Sequence, residues 1–164
     1  MTMPLTTPRL QEWAIGLAAH MARLSKDPST QVGAAIFDSK RRLVSAGYNG
    51  LPRGVEDTSE RLHERNIKYQ MVRHAEANAL AFATASTEGC TLVVTHPCCP
   101  QCAGAAIQHG IAHVLWPAPS AEFLYRWQEA YDLTRTMFRE AGVRVVEQED
   151  LGALKAAFDR RIDD

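Results

Sequence analysis

A chain of 164 residues with a formal charge of −1 suits one domain with an ordinary core, and nothing draws its whole surface toward nucleic acid or anionic lipid. Apolar residues make up 46% of it, yet no run approaches the roughly 20 residues that span a bilayer. The start lacks the charged-then-apolar layout of a signal peptide, and two of the four cysteines form a Cys-x-x-Cys pair, so metal chemistry in the cytoplasm is expected rather than a disulfide framework.

Residues 1–6 read as a loose tail. Thr7 followed by Pro8 opens a helix, a hydroxyl cap and then proline in the first turn. Leu10, Trp13, Ala14, Leu17, Met21 and Leu24 recur at helical spacing and predict its buried stripe, with Ile15 and His20 off centre. Ser25-Lys26-Asp27-Pro28-Ser29-Thr30 is a polar loop. Its plain reading is a helix-to-strand connection; its functional reading is that Ser25 and Lys26 present donors to an anion.

Gln31 to Asp38 and Arg42 to Tyr48 are short apolar strands, close enough to form an antiparallel hairpin. Gly47 to Gly54 carries three glycines and a proline. It is either a turn alone or a place where backbone approaches a ligand, with Asn49 available to a sugar hydroxyl. The charged stretch Glu56 to Arg65 reads as a solvated helix or partly ordered lid running to about Tyr69, with His63 on its surface. Val72 to Thr84 is small or apolar on most sides and predicts a buried central helix, with His74 and Glu76 buried at one end.

Cys90 to Thr95 is a third strand, with Cys90 in the core. Cys99 then caps a helix whose first turn holds Pro100 and which runs from Gln101 to His109; Gly110 stops it. His113 to Trp116 is a fourth strand, so strand, helix and strand predict parallel neighbours. Ser120 caps a long helix with an apolar stripe of Phe123, Leu124, Trp127, Ala130, Tyr131, Thr134, Met137, Phe138 and Ala141; Tyr125 and Arg126 lie off it. Gly142 ends that helix, Val143 to Val146 is a fifth strand, and Asp150 to Ile162 is expected to close the chain as a helix.

His74 and Glu76, two positions apart, are answered by Cys99 and Cys102. One imidazole and two thiolates suit Zn²⁺, and three protein ligands leave a fourth position for water. Zinc on His74, Cys99 and Cys102 lowers the pKa of that water, and Glu76 takes its proton to leave zinc hydroxide as nucleophile. Hydroxide then attacks the ring carbon bearing an amino group, while Glu76 protonates the ring nitrogen and afterwards helps ammonia leave. A structural zinc with four protein ligands is the competing reading. Cys98 and His96 are its nearest candidates for a fourth ligand, and both are assigned instead to packing or the pocket wall.

His-x-Glu with Cys-x-x-Cys is a recognised zinc deaminase signature. From about Trp13 to Val146 the chain resembles the deoxycytidylate (dCMP) deaminase family within the cytidine deaminase superfamily. The stretches that carry the likeness are Ser25–Gly33 (SKDPSTQVG), Gly47–Gly54 (GYNGLPRG), His74–Ala79 (HAEANA), Cys99–Ala103 (CPQCA), Gly110-Ile111 and Ala141-Gly142-Val143. The zinc motifs point to the superfamily; SKDPSTQVG and GYNGLPRG point to the dCMP branch. The resemblance implies a three-layer α/β/α sandwich around a mixed five-stranded sheet, zinc on His74, Cys99 and Cys102, and Glu76 as proton shuttle. It also implies a homo-oligomer, dimer or hexamer, with dCTP activating and dTTP inhibiting. Asn49 is placed near the sugar, and Ser25 and Lys26 near the phosphate or an effector. Two departures stand out: Cys98 occupies the family's proline position, with Pro97 one step earlier, and Val55 to Tyr69 is shorter and differently charged than in animal members.

The expectation is therefore a single zinc-dependent deaminase domain over residues 1–164 that converts dCMP to dUMP and ammonia. Lys26 and Arg53 are available as phosphate donors. The alternatives are deamination of another amino-substituted pyrimidine or purine base, nucleoside or nucleotide, and a non-catalytic zinc fold used as a binding surface.

Overall fold

The computed structural model describes residues 3–149, so the helix expected over residues 150–162 lies outside the described residues. Thr7 caps α1 (Pro8–Ala22), its hydroxyl accepting from the Leu10 N–H at 3.4 Å. A hairpin follows: β1 (Gly33–Phe37) and β2 (Leu43–Tyr48) pair antiparallel across a turn in which Arg41 takes a left-handed φ of 65°. The charged stretch folds as two short helices, α2 (Ser59–His63) and α3 (Arg65–Met71), with Glu64 extended between them. After them come α4 (Ala75–Ala81), β3 (Thr91–Val94), α5 (Pro100–Gln108), β4 (His113–Pro117), α6 (Ala121–Glu140) and β5 (Arg144–Gln148). Gly110 and Gly142, at φ 72° and 73°, end α5 and α6 in the left-handed conformation that favours glycine.

The strands form one mixed sheet in the order β2-β1-β3-β4-β5. β1 is antiparallel to both β2 and β3, while β3–β4 and β4–β5 are parallel. Alternation along the strands splits the core in two. Ala34, Ile36, Leu92, Val94, Val114 and Trp116 face Ala75 and Ala79 of α4, Ala103 and Ala106 of α5, and Phe138 of α6. Ala35, Phe37, Val93 and Leu115 face Ala14, Ile15 and Ala18 of α1. Fully burying a side chain such as Phe37 or Leu92 stabilises the fold by about 1.5–3 kcal/mol. This is the expected three-layer α/β/α sandwich with a mixed five-stranded sheet.

Several local expectations change. The tail is not loose throughout: Met3 and Leu5 are buried in the α1 layer, where the Gln11 side-chain amide donates to the Leu5 carbonyl at 3.1 Å. The buried face of α1 is Ala14, Ile15, Ala18 and Ala22, whereas Trp13 is 51% exposed and Leu24 58%. The reason is close approach. A Cβ built on Gly33 would stand 1.8 Å from the Ala18 carbonyl oxygen, so α1 lies directly on the β1 backbone and small residues face the contact. Trp13 instead tilts over Phe37, ring centroids 5.2 Å apart.

The central helix is shorter than expected. Val72 and Arg73 are extended, the latter bridging Gly50, and His74 is the N-cap. On α6 only Thr134 and Phe138 are buried; Trp127 is exposed, although it belongs to the apolar stripe. Among the described residues no helix is long and apolar enough to cross a membrane.

Candidate active site

Two helix starts on one face of the sheet bring the metal-ligating residue types together. His74 precedes α4 and Cys99 precedes α5, both extended at ψ near 155° and 163°, and Cys102 sits in the first turn of α5. The His74 Nδ1 lies 3.5 Å from Cys99 Sγ and 3.4 Å from Cys102 Sγ. Ligand bonds of ordinary zinc–nitrogen and zinc–sulfur length at a tetrahedral angle separate the two donor atoms by about 3.6 Å. The spacing and the soft donor set therefore fit zinc. Among the described residues the cluster consists of these three, and neither Cys98 nor His96 joins it. His74 is exposed rather than buried, so the cluster opens to solvent on the imidazole side, while Cys102 is buried.

Each charge state follows from these neighbours. Hydrogen bonding with Cys99 raises the His74 pKa, against the opposing effect of burial. The Cys99 thiol is pulled down to about 4, first by hydrogen bonding with the Cys102 side chain and then by His74. Cys102 is pushed up, first by hydrogen bonding with Cys99 and then by burial. Two thiols this close ionise one at a time, and a dication between them lets both do so. The Cys102 N–H also donates to Cys99 Sγ at 3.4 Å, which supports the thiolate.

Glu76 is 4% exposed, in the first turn of α4. Burial raises its pKa, opposed by its own backbone N–H, by His74 and by the Cys98 side chain. α4 is held tightly in place: a Cβ on Gly47 would stand 2.6 Å from the Ala79 nitrogen and 2.7 Å from the Ala75 carbonyl oxygen, and the Ser45 hydroxyl donates to the Ala79 carbonyl at 2.7 Å. The Asn78 amide donates to the Tyr48 carbonyl at 2.8 Å. A buried carboxylate with a raised pKa beside a metal-type donor cluster is suited to moving protons near neutrality.

The residues read as substrate contacts fall in two places. Lys26 and Asn49 line a pocket of about 110 Å³ together with Tyr48, Asp57 and Lys68. Lys26 Nζ is 2.6 Å from the Asp57 carboxylate. The Asn49 side chain accepts from the Val32 N–H at 2.8 Å and donates to the Thr30 carbonyl at 2.9 Å, which leaves one amide hydrogen and one lone pair. Ser25 is buried, its hydroxyl accepting from the Asp27 N–H at 3.2 Å. Arg53 lies elsewhere, its guanidinium 5.5 Å from the centroid of the Phe82 ring. Sequence reasoning missed Lys68, which turns inward, and Asp57, which stays exposed and pairs with Lys26, since nothing in a polar segment marks which charge will be buried or paired.

Fold and site together define a class, and comparison with known proteins gives the same one. Residues 8–117 match the family model for the cytidine and deoxycytidylate deaminase zinc-binding region, and the chain belongs to that family of zinc-dependent deaminases. It is 45% identical over 139 residues to an uncharacterized deaminase in the luxG 3′ region of Aliivibrio fischeri, covering 83% of this chain and 93% of that one. It is 36% identical over 140 residues to the deoxycytidylate deaminase of Mus musculus, covering 80% of this chain and 75% of that one. In fold it is similar to the dCMP deaminase of cyanophage S-TIM5 solved with dCMP and dUMP, at a TM-score of 0.68 and 23% identity over 87% of this chain and 98% of that one.

Proposed function

We propose that the chain is a single deaminase domain over residues 1–164 that hydrolyses dCMP to dUMP and ammonia, with zinc held by His74, Cys99 and Cys102. The observation that carries this is the buried Glu76, two residues from His74 in a chain where three zinc-type donor atoms converge within 4.8 Å. Bound zinc supplies Lewis acidity that makes water a nucleophile at neutral pH. Glu76 takes one proton from the attacking water and gives it to the pyrimidine ring nitrogen next to the amino-bearing carbon. Oxygen bonds to that carbon, the carbon–nitrogen bond breaks, and Glu76 passes the remaining proton to the departing ammonia. Burial of Glu76 favours this work because it lifts the carboxylate's pKa toward the range where it both takes and gives a proton.

Substrate choice is supported by likeness to deoxycytidylate deaminases, including the mouse protein at 36% identity. In this reading Asn49 serves the sugar and Ser25 and Lys26 the phosphate, while Arg53, set apart over Phe82, reaches the phosphate only if it leaves that ring. Lys26 then exchanges its Asp57 partner for the substrate's anion, an exchange of low cost because Lys26 is largely exposed. A homo-oligomer, with dCTP and dTTP as effectors, follows from the same resemblance, and a cytoplasmic location is the default for a chain whose Cys-x-x-Cys pair reads as metal chemistry.

The test is ammonia release by zinc-loaded protein from dCMP, CMP, deoxycytidine and dCTP, each with and without dCTP or dTTP as effector. Turnover confined largely to dCMP, and lowered by Lys26→Ala through KM, supports the reading. Equal turnover of deoxycytidine removes the phosphate from it. No turnover of any cytosine nucleotide moves the substrate to another aminated base.

A further inference from the structure

One peptide unit decides how Cys99 is presented to the other metal donors. Thr95 follows β3 and is anchored there: its N–H donates to the Gly33 carbonyl at 3.0 Å, and its hydroxyl accepts from the Gly33 N–H at 3.1 Å. Cys99 is already the cap of α5, its backbone extended at ψ 163°. His96, Pro97 and Cys98 run between them. Cys98 has no ring to fix its φ, as Pro97 and Pro100 have. Its carbonyl is met instead by Thr134 of α6, whose hydroxyl donates to it at 3.0 Å. Both residues are buried, Thr134 completely and Cys98 to 3% exposure. The Cys98 carbonyl and the Cys99 N–H belong to one planar unit. A hydrogen bond to that carbonyl therefore fixes the plane from which Cys99 starts.

Thr134 is itself well seated. A threonine inside a helix can turn its hydroxyl back to the carbonyl one turn earlier. Here the hydroxyl crosses to the loop instead, and the helix turn around it is clamped to the sheet. Glu147 of β5 accepts through one carboxylate oxygen from Trp116 Nε1 at 3.1 Å, from the Arg135 guanidinium at 3.1 Å and from the Tyr131 hydroxyl. One turn beyond Thr134, Phe138 is fully buried, its ring centroid 6.0 Å from that of Trp116.

We infer that Thr134 is a positioning residue for the metal centre: by holding the Cys98–Cys99 peptide it keeps the Cys99 sulfur at ligand spacing from His74. The inference rests on the reading of His74, Cys99 and Cys102 as the zinc ligands. A donor atom already held in place gives up little freedom when it binds, so loss of its support loosens the metal. Loss of the hydroxyl also leaves a buried carbonyl unmatched, which favours a different path for the loop.

The test compares Thr134→Val and Thr134→Ser in the full-length zinc-loaded protein. Phe37→Leu, in the core on the opposite face of the sheet, serves as a control for lost stability alone. Zinc transfer to a coloured chelator is followed in time. Release from Thr134→Val, which keeps the shape and removes the donor, should be about tenfold faster than from wild type, the scale on which outer support of a metal ligand acts. Thr134→Ser, which keeps the donor, should recover most of that difference, and Phe37→Leu should release zinc at the wild-type rate. Cobalt in place of zinc adds a spectroscopic signature. Its thiolate charge-transfer and d–d bands should shift in Thr134→Val and return in Thr134→Ser. Thr134→Ala should move both readouts in the same direction and stands in should Thr134→Val not fold. Wild-type release with an unshifted cobalt spectrum overturns the proposal, as does a rise in release no larger than that of Phe37→Leu. The ligand set is tested apart: full zinc in Cys99→Ala sinks that reading, whereas wild-type release from Thr134→Val with the ligand set intact sinks the role of Thr134 alone.

Discussion

Lys68 on α3 turns inward and places its ammonium 3.2 Å from the Asp27 carboxylate, each side chain only 9% exposed. The same ammonium donates to the Ser29 hydroxyl at 3.2 Å, so one cation ties a helix to the loop that enters β1. Removing one partner of a buried pair leaves the other charged and desolvated. Asp27→Asn should therefore cost about 3 kcal/mol of stability, seen as a lower urea midpoint at unchanged slope. An unchanged midpoint would mean that the lysine finds water instead.

Glu76→Gln keeps the side chain's size and the three metal donors but removes a group able to take a proton. Zinc content and melting temperature should stay near wild type while kcat falls by orders of magnitude, about a hundredfold or more. Zinc analysis beside steady-state ammonia release decides it. Comparable kcat in the variant would sink the assignment of the shuttle.

Cys99→Ala and Cys102→Ala remove a donor from a cluster whose atoms already sit at ligand spacing. Each should purify with little zinc, and each should unfold at a lower temperature than the zinc-loaded wild type. Dialysis of the wild type against a strong chelator should reproduce that loss of thermal stability, with recovery on adding zinc. Full zinc occupancy in either variant would refute the ligand set.

A methyl group at position 47 has nowhere to go, because α4 backbone atoms stand 2.6 and 2.7 Å from where the Cβ would be. Gly47→Ala should push α4 off β2, costing about 1–3 kcal/mol and lowering kcat through the displaced Glu76. At Gly33 the same change meets the Ala18 carbonyl oxygen at 1.8 Å, with the stability cost alone, since α1 carries no part of the site. Chemical denaturation and kcat measured on both variants separate the two outcomes. Equal activity losses in both would mean that α4 is not selectively displaced.

Pattern and motif made much of the molecule legible. Thr7-Pro8, Cys99-Pro100 and Ser120 are local capping signals, and the three helices start there because those hydroxyl or thiol acceptors meet the first free N–H groups. The metal donors were legible for a similar reason, since Cys99 and Cys102 are one helical turn apart whatever surrounds them. Helix faces read less well. The α1 stripe followed residue size, and the structure follows proximity, so that alanines beside Gly33 are buried while Trp13 stays half outside. The inward turn of Lys68 onto Asp27 depends on a long-range contact that neither spacing nor propensity encodes.

Asn49 is followed by Gly50, the dipeptide in which an asparagine most readily loses its own side-chain ammonia as the next backbone nitrogen closes a five-membered imide. Here that nitrogen donates to the Arg73 carbonyl at 3.1 Å, and the asparagine amide is clasped by Thr30 and Val32. Neither the attacking nor the leaving group is free to swing into line. The folded enzyme therefore shelters a clock that runs in its unfolded chain, and protein stored in denaturant should age at this position first.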